Sequence, residues 1–395
     1  MGGRRAIVMV MDACGAGALP DAAAYGDEGT NTLAHVAESV GGLQVPALAR
    51  LGLGSIIPLR GVPVSEDPVL HGRLHPLGPG KDSATGHWEL MGAVLQKPLP
   101  TYPQGFPPEV IARLEEVMGH GIICNRPYNG IAAIDDFGSE HLRTGAVILY
   151  TSQDSVMQLA AHTERLSVAE LYRACAAARA EMSGEHAVGR VIARPFKGAD
   201  GAFVRTEGRR DFAIAPPGRS YLQELVDSGV EVHGVGKIRD LFAGVGVTHS
   251  HAGASNAEAL ESVDTLLEDL EQGLVFVNLI ETDQIFGHRK DVQGFARALG
   301  ELDANVGRRL KLLRGDDLLI LTADHGVDPD HPRTDHTREY APLLAVTGEM
   351  AARAQAGGLY GGVRHDGPLA DVGASVLRWL TGGEAAQLPG EAFIS

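Results

Sequence analysis

The chain has 395 residues, of which 44% are hydrophobic and 21% are charged, a balance typical of a globular protein and not of a disordered or collagen-like chain. Its 34 Lys and Arg residues against 50 Asp and Glu residues give a formal charge of −16 at pH 7, which repels nucleic-acid backbones and anionic membranes. We therefore expect neither a nucleic-acid partner nor a membrane partner.

Short apolar runs rich in Val, Ile and Leu alternate with segments whose apolar residues recur every three to four positions. The short runs predict strands, and the longer segments predict amphipathic helices. This alternation is typical of a parallel sheet with helices on both faces, so we predict a doubly wound α/β core. The predicted strands are 6–11, 231–236, 274–280, 318–322 and 342–347, and the predicted helices are 256–271, 295–314 and 372–380.

Two proline-rich segments interrupt this pattern. Residues 97–109 contain five prolines, and residues 215–218 read Ala-Pro-Pro-Gly. The predicted elements between them are helices 109–118 and 167–182 and strands 146–151 and 190–196. These elements suffice for a small α+β domain. We therefore predict a discontinuous core, residues 1–98 and 215–395, interrupted by a cap domain, residues 99–214.

Cysteine usage indicates where the protein works. Cys14, Cys124 and Cys175 are too few and too scattered for a disulfide framework, which favours a reducing, cytoplasmic setting. The first apolar run ends at Asp12, short of the ~7–15 apolar residues of a signal-peptide core. We also expect no membrane span, because no segment offers the ~18 apolar residues that a transmembrane helix needs.

Acidic residues follow three of the predicted strands, and histidines follow them closely in the chain. The carboxyl ends of parallel strands share one edge of a sheet, which is where ligands bind in such folds. Three carboxylates and three imidazoles at one edge suffice for two metal ions with three protein ligands each. The predicted ligands are Asp12, Asp283, His288, Asp324, His325 and His336.

The types of ligand narrow the class of metal. Carboxylate and imidazole without thiolate suit Mn²⁺, Zn²⁺ or Fe²⁺ better than Ca²⁺, which prefers oxygen alone. A pair of ions ~3.5–4 Å apart would stabilise both the attacking and the leaving oxygen of a phosphoryl transfer and lower the pKa of a bound hydroxyl. We therefore expect a nucleophile at the same edge.

Thr85 is the predicted nucleophile. It lies in the segment GKDSATGHWELMG, where small residues surround a hydroxyl at the predicted start of a helix whose amides could face a phosphate. Threonine is a weak nucleophile unless a base or a metal activates it, so this prediction depends on the metal site. Ser83, two residues earlier, is the alternative hydroxyl.

Several segments together resemble the phosphopentomutase family of the alkaline phosphatase superfamily. They are DSATGHWE, YTSQDSVMQLAAH, GRVIARPF, NLIETDQIFGHRKD, and ILTADHGVDP followed after four residues by TDHTREYAPLL. The set is specific, although each motif alone is weak, and it extends from Asp12 through the predicted cap to the end of the core. The resemblance implies an alkaline-phosphatase-like core with an inserted cap.

The resemblance also implies an isomerase that interconverts ribose 5-phosphate and ribose 1-phosphate, and the 2-deoxyribose phosphates, through a ribose bisphosphate. Thr85 would be the phosphorylated nucleophile and would bridge two divalent ions, typically Mn²⁺, and a sugar bisphosphate would prime the enzyme. The implied ligands are Asp12, Asp324 and His325 for one ion and Asp283, His288 and His336 for the other.

Substrate binding is implied in the same way. By similarity, Arg190, Arg205 and Lys237 would hold the phosphate that is not transferred, and Asp154 would contact a ribose hydroxyl. A guanidinium group pairs bidentately with phosphate oxygens, so these basic residues suit that role in an otherwise acidic chain. Arg194 lies four residues after Arg190 on the same predicted strand face and ranks below the other basic residues.

Two departures from the family pattern and two alternative functions remain. Ala13 stands where the family usually has serine, and Glu281-Thr282 stand where it usually has Asp-Phe, so geometry around the ligands or metal preference could differ.

A phosphatase or a cofactor-independent phosphoglycerate mutase could use the same metal core. A metal-binding or sugar-phosphate-binding protein without turnover is the other alternative, disfavoured by the presence of Thr85 with all six ligands.

Overall fold

The computed structural model describes residues 3–152 and 155–394. The chain forms two compact units. The first unit comprises residues 1–96 and 216–395, and the second comprises residues 97–215. Each unit has its own sheet and is described by itself below.

Fourteen strands form the two sheets of the described residues. In chain order they are β1 Arg5–Met11, β2 Leu70–His75, β3 Ile122–Pro127, β4 Val147–Thr151, β5 Val156–His162, β6 Arg190–Lys197, β7 Val204–Arg205, β8 Arg210–Ala213, β9 Val232–Val235, β10 His249–His251, β11 Gly273–Leu279, β12 Asp317–Thr322, β13 Ala341–Thr347 and β14 Gly367–Pro368.

Fourteen α-helices lie among the described residues. They are α1 Ala22–Tyr25, α2 Thr32–Ser39, α3 Pro46–Leu51, α4 Leu53–Ile56, α5 Ser83–Leu90, α6 Pro108–Met118, α7 Gly130–Thr144, α8 Val168–Glu181, α9 Tyr221–Asp227, α10 Ile238–Leu241, α11 Asn256–Asp269, α12 Val292–Arg309, α13 Gly348–Gln355 and α14 Asp371–Thr381. A π-helical turn, Thr282–Phe286, and 3₁₀ turns at Gly184–His186 and Gly287–Arg289 complete the helical structure.

The sheet of the first unit has eight strands in the order β10-β9-β11-β1-β12-β13-β2-β14. The five strands from β10 to β12 are parallel to one another. Every residue of β1, β11, β12 and β13 is buried, as expected for strands covered on both faces. The predicted α/β core therefore has the parallel centre that the apolar runs indicate.

One predicted strand differs in direction. β13 runs antiparallel to both β12 and β2, whereas the alternating pattern predicted parallel strands throughout. The connection from β12 to β13 contains no helix, and a parallel neighbour requires a crossover, which is usually helical. The chain instead returns directly through a long loop, and that loop carries His325 and His336.

The register of the central strands fixes the level at which their loops begin. Met11 at the end of β1 pairs with Leu279 at the end of β11, and Val10 pairs with Thr322 at the end of β12. At the opposite end of the sheet, Nε and Nη2 of Arg5 donate to the Asp317 carboxylate, at 2.7 and 2.6 Å. The residues that follow the three strands consequently emerge together at one edge.

The helix boundaries of the first unit follow capping chemistry more than apolar periodicity. α12 begins at Val292, three residues before its prediction, because the Asp291 side chain accepts a hydrogen bond from Gly294 N at 2.8 Å. It ends at Arg309, before the predicted 314. α11 is capped by Ser255 and ends at Asp269, two residues before its prediction.

The sheet of the second unit has the strand order β3-β4-β5-β6-β7, with β8 paired to β6. Helices α6 and α8 contribute to one apolar cluster and α7 to a second. Ser167 and Glu170 form a capping box at the start of α8. The sequence patterns predicted α6, β4, α8 and β6 but not β3, α7 or β5.

Over residues 3–152 and 155–394, we find no helix with the combination of length and apolar character that crossing a bilayer demands.

Candidate metal centre

The six predicted ligands lie on loops at the carboxyl edge of the first unit's sheet. Asp12 follows β1, and Asp324 and His325 follow β12 by two and three residues. Asp283 belongs to the π-helical turn after β11, and His288 belongs to the 3₁₀ turn that follows it. His336 lies in the loop between β12 and β13. Three adjacent parallel strands therefore supply most of the site.

Asp12, Asp324 and His325 form one group of metal-binding type. One ligand atom from each residue lies within 4.8 Å of the others, and all three residues are buried. The Nε2 atom of His325 is 3.5 Å from Asp12 Oδ1 and 3.4 Å from Asp324 Oδ2. This is the set of residues that the family resemblance implies for one ion.

The remaining ligands converge on Asp283. Its Oδ1 atom lies 3.2 Å from His336 Nε2 and 3.3 Å from His288 Nε2, and the two Nε2 atoms are 3.2 Å apart. Asp283 and His336 also form a group of metal-binding type with His325, whose ring stacks on that of His336 at 4.0 Å between centroids. All six predicted ligands are thus brought together, with His325 adjacent to both halves.

The donor atoms have the chemistry that a cation requires. Asp12 Oδ1, Asp283 Oδ1 and Asp324 Oδ2 are buried and have no hydrogen-bond partner among the described residues. Buried carboxylate oxygens are rarely left in this condition, so each needs an explanation such as an ion. Nδ1 of His325 lies 3.0 Å from the Gly326 carbonyl oxygen, which orients the lone pair of Nε2 toward the carboxylates. These residues therefore fit divalent cations.

The electrostatics of the site reflect crowded carboxylates. Burial, together with the negative charges of Asp324 and Asp283, raises the pKa of Asp12 well above its ordinary value. Burial also acts to raise the pKa of Asp283, but its contacts with His288 and His336 hold that pKa below the ordinary range. The same contact with Asp283 raises the pKa of His288 to about 9. A bound cation would compensate this clustered negative charge.

Thr85 lies in the first turn of α5 and is buried. Asp82 caps this helix, and the Thr85 hydroxyl lies 2.9 Å from Asp82 Oδ2 and 3.0 Å from the Asp82 carbonyl oxygen. The alternative hydroxyl, Ser83 Oγ, lies 3.0 Å from His325 Nε2. The structure therefore places Ser83 against a predicted ligand and directs the Thr85 hydroxyl to the helix cap.

Helix α5 packs directly on the loop after β12, which carries Asp324. His87 Nδ1 is 3.1 Å from Asp324 Oδ2, and a Cβ atom at Gly86 would lie 2.6 Å from the Asp324 carbonyl oxygen. Glycine at position 86 therefore permits the close approach that brings Thr85 and Ser83 to this edge. Lys237 precedes α10, and its positive charge acts against the rise in the pKa of Asp12.

The hydrogen bonds that position Asp12 were not predicted from the sequence. Asn278 Nδ2 donates to Asp12 Oδ2 at 2.8 Å, and the Thr282 hydroxyl donates to the Asp12 carbonyl oxygen at 2.6 Å. Asn278 interrupts the otherwise apolar strand LVFVNLI, and this single polar residue in a buried strand was the signal available in the sequence.

Comparison with known proteins assigns the chain to a family. A family model described as the metalloenzyme superfamily matches residues 4–381. A phosphopentomutase from Carboxydothermus hydrogenoformans is 48% identical over 342 residues, which cover 86% of this chain and 88% of that protein. One from Acetivibrio thermocellus is 43% identical over 392 residues, 99% of each chain. The chain belongs to the phosphopentomutase family.

Membership of the phosphopentomutase family confirms the resemblance drawn from the sequence motifs and the expected enzyme class, an isomerase. The predicted α/β fold is confirmed as well. A solved phosphoglycerate mutase from Leishmania mexicana shares the fold with a TM-score of 0.50 and 13% identity, covering 100% of this chain and 98% of that one.

The two departures from the phosphopentomutase pattern adjoin the ligands. Ala13 has a φ of 61°, in the left-handed region, and its amide donates to Asp324 Oδ1 at 3.1 Å. Thr282 supplies the hydroxyl bond to Asp12 described above. Glu281 is directed elsewhere, because its carboxylate accepts a hydrogen bond from Asn256 N at the start of α11.

The predicted phosphate-binding arginines lie in the second unit. Arg190 begins β6, and its guanidinium is 3.6 Å from Asp211. Arg205 lies in β7 with Nη2 3.5 Å from the Tyr150 hydroxyl. Burial raises the pKa of Tyr150, and the positive charges of Arg205 and Arg194 act against that rise. The predicted ribose contact, Asp154, lies outside the described residues.

Proposed function

We propose that the enzyme interconverts ribose 5-phosphate and ribose 1-phosphate, and the corresponding 2-deoxyribose phosphates, through phosphothreonine at Thr85 beside two divalent ions. The observation that carries this proposal is the set of three buried, unpartnered carboxylate oxygens directed at three imidazoles, on the loops against which α5 packs. The named activity of the relatives supports the choice of substrate class.

The six residues would hold the ions in the two sets proposed from the sequence. These are Asp12, Asp324 and His325 for one ion and Asp283, His288 and His336 for the other. Mn²⁺ suits these oxygen and imidazole donors. When bound, such a pair supplies positive charge to the transferring phosphoryl group and lowers the pKa of a nearby hydroxyl.

We propose that phosphoryl transfer proceeds in two steps that use one threonine oxygen. In the first, phosphothreonine gives its phosphoryl group to the hydroxyl on C1 of ribose 5-phosphate, and the sugar hydroxyl proton is released as the Thr85 oxygen leaves. The product is ribose 1,5-bisphosphate. In the second, Thr85 attacks the 5-phosphoryl group, ribose 1-phosphate leaves, and phosphothreonine is regenerated. A sugar bisphosphate supplies the first phosphoryl group.

Asp82 is placed to orient the nucleophile. Its Oδ1 atom accepts hydrogen bonds from Ala84 N and Thr85 N, which fixes the start of α5, and its Oδ2 atom lies 2.9 Å from the Thr85 hydroxyl. That hydroxyl donates to an acceptor of fixed position, so the carboxylate can hold its proton as the oxygen attacks phosphorus. This role follows from the capping geometry alone.

Basic residues would bind the phosphate that stays on the sugar. We propose this role for Arg190, Arg205 and Lys237, with Asp154 at a ribose hydroxyl. Support comes from the exposed guanidinium of Arg190 and from the position of Arg205 on the short, exposed strand β7. We further propose that residues 99–214 act as a cap that keeps water from phosphothreonine, because a mutase that admits water becomes a phosphatase.

The test combines product analysis with two hydroxyl variants. Protein loaded with Mn²⁺ is incubated with ribose 5-phosphate and a trace of ribose 1,5-bisphosphate, and phosphorus NMR follows the products. We expect ribose 1-phosphate, and loss of both product and phosphoprotein in Thr85→Ala by several orders of magnitude. Ser83→Ala is the matched control and should still be phosphorylated.

The alternative functions give different outcomes in the same assay. Free phosphate in place of ribose 1-phosphate would indicate a phosphatase, and turnover of phosphoglycerate instead of the pentose would indicate the other mutase. A phosphoprotein that survives Thr85→Ala but disappears in Ser83→Ala would move the nucleophile to Ser83. Wild-type protein that binds Mn²⁺ but never acquires a phosphoryl group would favour a binding protein.

We also propose that the enzyme works in the cytoplasm. The support is that Cys14, Cys124 and Cys175 are free thiols in the structure, which suits a reducing compartment. Cell fractionation followed by immunoblotting tests this location, and recovery of the protein from an oxidising compartment would contradict it.

A further inference from the structure

A further group of side chains of metal-binding type lies at the outer edge of the first unit's sheet. It consists of Glu231, His233, His249 and His251, here called the edge cluster. Glu231 directly precedes β9, His233 belongs to β9, and the other two histidines belong to β10, the last strand of the sheet. None of these residues belongs to the predicted catalytic site.

The alternation of side chains along a strand explains why the four residues meet. Glu231 and His233 are two residues apart, as are His249 and His251, so each pair lies on one face of its strand. The parallel register pairs His249 with His233 across the two strands. Four side chains from two separate segments therefore project from the same face.

The imidazole rings of the edge cluster are in direct contact. The rings of His233 and His249 stack with 4.5 Å between centroids and 10° between planes, and His251 stacks on His233 at 5.2 Å. His233 Nδ1 lies 3.0 Å from His251 Nε2, while its Nε2 atom lies 3.4 Å from a Glu231 carboxylate oxygen. Each nitrogen of the buried His233 ring thus faces a neighbour of defined chemistry.

One ligand atom from each of Glu231, His233 and His249 lies within 4.8 Å of the other two, as in the two groups that contain Asp12 and Asp283. The edge of the sheet where those two groups lie is called the catalytic edge below. Local hydrogen bonds also select the nitrogen that His249 can offer. The Thr248 hydroxyl donates its only proton to the Val232 carbonyl oxygen. The same hydroxyl lies 2.9 Å from His249 Nδ1, so its oxygen must accept a hydrogen bond from that nitrogen. Nδ1 of His249 then carries the proton, and Nε2 carries the lone pair.

The edge cluster is separate from the catalytic edge. Glu231 lies at the amino end of β9, whereas Asp12 and Asp283 follow the carboxyl ends of β1 and β11. Two strands, β9 and β11, stand between β10 and β1 in the sheet. An ion at this position would be too remote to take part in the chemistry at the strand ends.

We propose that the edge cluster binds one transition-metal ion of the Zn²⁺ class, with Glu231, His233 and His249 as ligands and His251 as the hydrogen-bond partner that orients His233. Two imidazoles and a carboxylate suit Zn²⁺, Co²⁺ or Ni²⁺ better than Mg²⁺ or Ca²⁺. Because the ligands come from β9 and β10, the bound ion ties the outermost strand to its neighbour.

The proposal is tested by the zinc content of full-length protein and its variants after equilibrium dialysis against Zn²⁺, measured by plasma mass spectrometry. We expect His249→Ala to hold one zinc ion fewer than wild type, and the matched control His120→Ala, a histidine in none of the donor groups of the described residues, to hold the same number. His249 is exposed, so its removal should leave the fold intact, which circular dichroism verifies.

Two further variants separate this site from the catalytic one. His251→Ala should weaken the zinc affinity of the edge cluster by about 10- to 100-fold, because it removes only the partner of a ligand. His336→Ala should reduce the metal content of the catalytic edge and leave the zinc that is lost in His249→Ala still bound. Equal zinc content in wild type and His249→Ala would overturn the proposal.

Discussion

Binding of Mn²⁺ to the metal-free protein should release protons and should tighten as the pH rises. His288 lies 3.3 Å from Asp283, and this contact raises the pKa of His288 to about 9. A protonated imidazole has no lone pair to offer, so the ion must displace a proton from His288 at neutral pH. Asp12, whose pKa is raised by burial and by neighbouring carboxylates, contributes in the same direction.

The size of the effect follows from the pKa. Below the pKa of His288, each pH unit changes the fraction of neutral imidazole about tenfold, so two pH units change it roughly 100-fold. The side chain is 39% exposed, and solvent screening weakens the influence of Asp283. We therefore expect the dissociation constant for Mn²⁺ to fall by about 10- to 100-fold between pH 6.5 and pH 8.5.

Isothermal titration calorimetry under anaerobic conditions measures both quantities. Titrations at pH 6.5, 7.5 and 8.5, each in two buffers with different ionisation enthalpies, give the affinity and the number of protons released. His288→Ala should bind Mn²⁺ more weakly and release fewer protons. An affinity that is the same at all three pH values, with heats that do not depend on the buffer, would refute the assignment of His288 as a ligand.

Three further predictions concern Asp317, Asn278 and His288 of the first unit. Asp317→Ala should lower the free energy of unfolding by about 3–5 kcal/mol, because it leaves the Arg5 guanidinium buried without its partner; urea unfolding measures this, and a loss below about 1 kcal/mol would contradict it. Asn278→Ala should weaken metal binding by about 10- to 100-fold, because it removes the hydrogen bond that orients Asp12, whereas unchanged affinity by calorimetry would assign Asn278 a packing role only. In metal-free protein, the raised pKa of His288 stabilises the folded state fully at pH values below 6.5, the ordinary pKa of the residue, and this stabilisation is lost as the pH rises through about 9. The free energy of unfolding should therefore be larger at pH 6 than at pH 9.5, and a larger value at pH 9.5 would count against this reasoning.

The convergence of the six predicted ligands could be expected because it depends on topology. Parallel strands end at one edge, so Asp12, Asp283 and Asp324 could be expected together before any coordinates were known. The sharing of His325 between the two groups was not predictable, because it depends on the path of the loop after β12. The antiparallel direction of β13 depends on the path of the same loop. The number of residues between two predicted strands does not show whether the connection is a crossover, so this direction was not predictable either.

Hydrogen bonding and strand pairing were the least predictable features. The sequence could not show that Asp82 would hold the Thr85 hydroxyl while Ser83 approaches His325, because both residues lie in one turn of a helix and only the cap decides their directions. The edge cluster was missed for another reason. Its two halves, at 231–233 and 249–251, meet only through the pairing of β9 with β10. β10 has only three residues, too few to be predicted as a strand from the sequence.

Anomalous diffraction from crystals of the protein grown with Mn²⁺ tests the central claim most directly. We predict two adjacent peaks, ~3.5–4 Å apart, one bonded to Asp12, Asp324 and His325 and the other to Asp283, His288 and His336, with the Thr85 side chain beside them. A single peak, or peaks bonded to none of these side chains, would contradict the account.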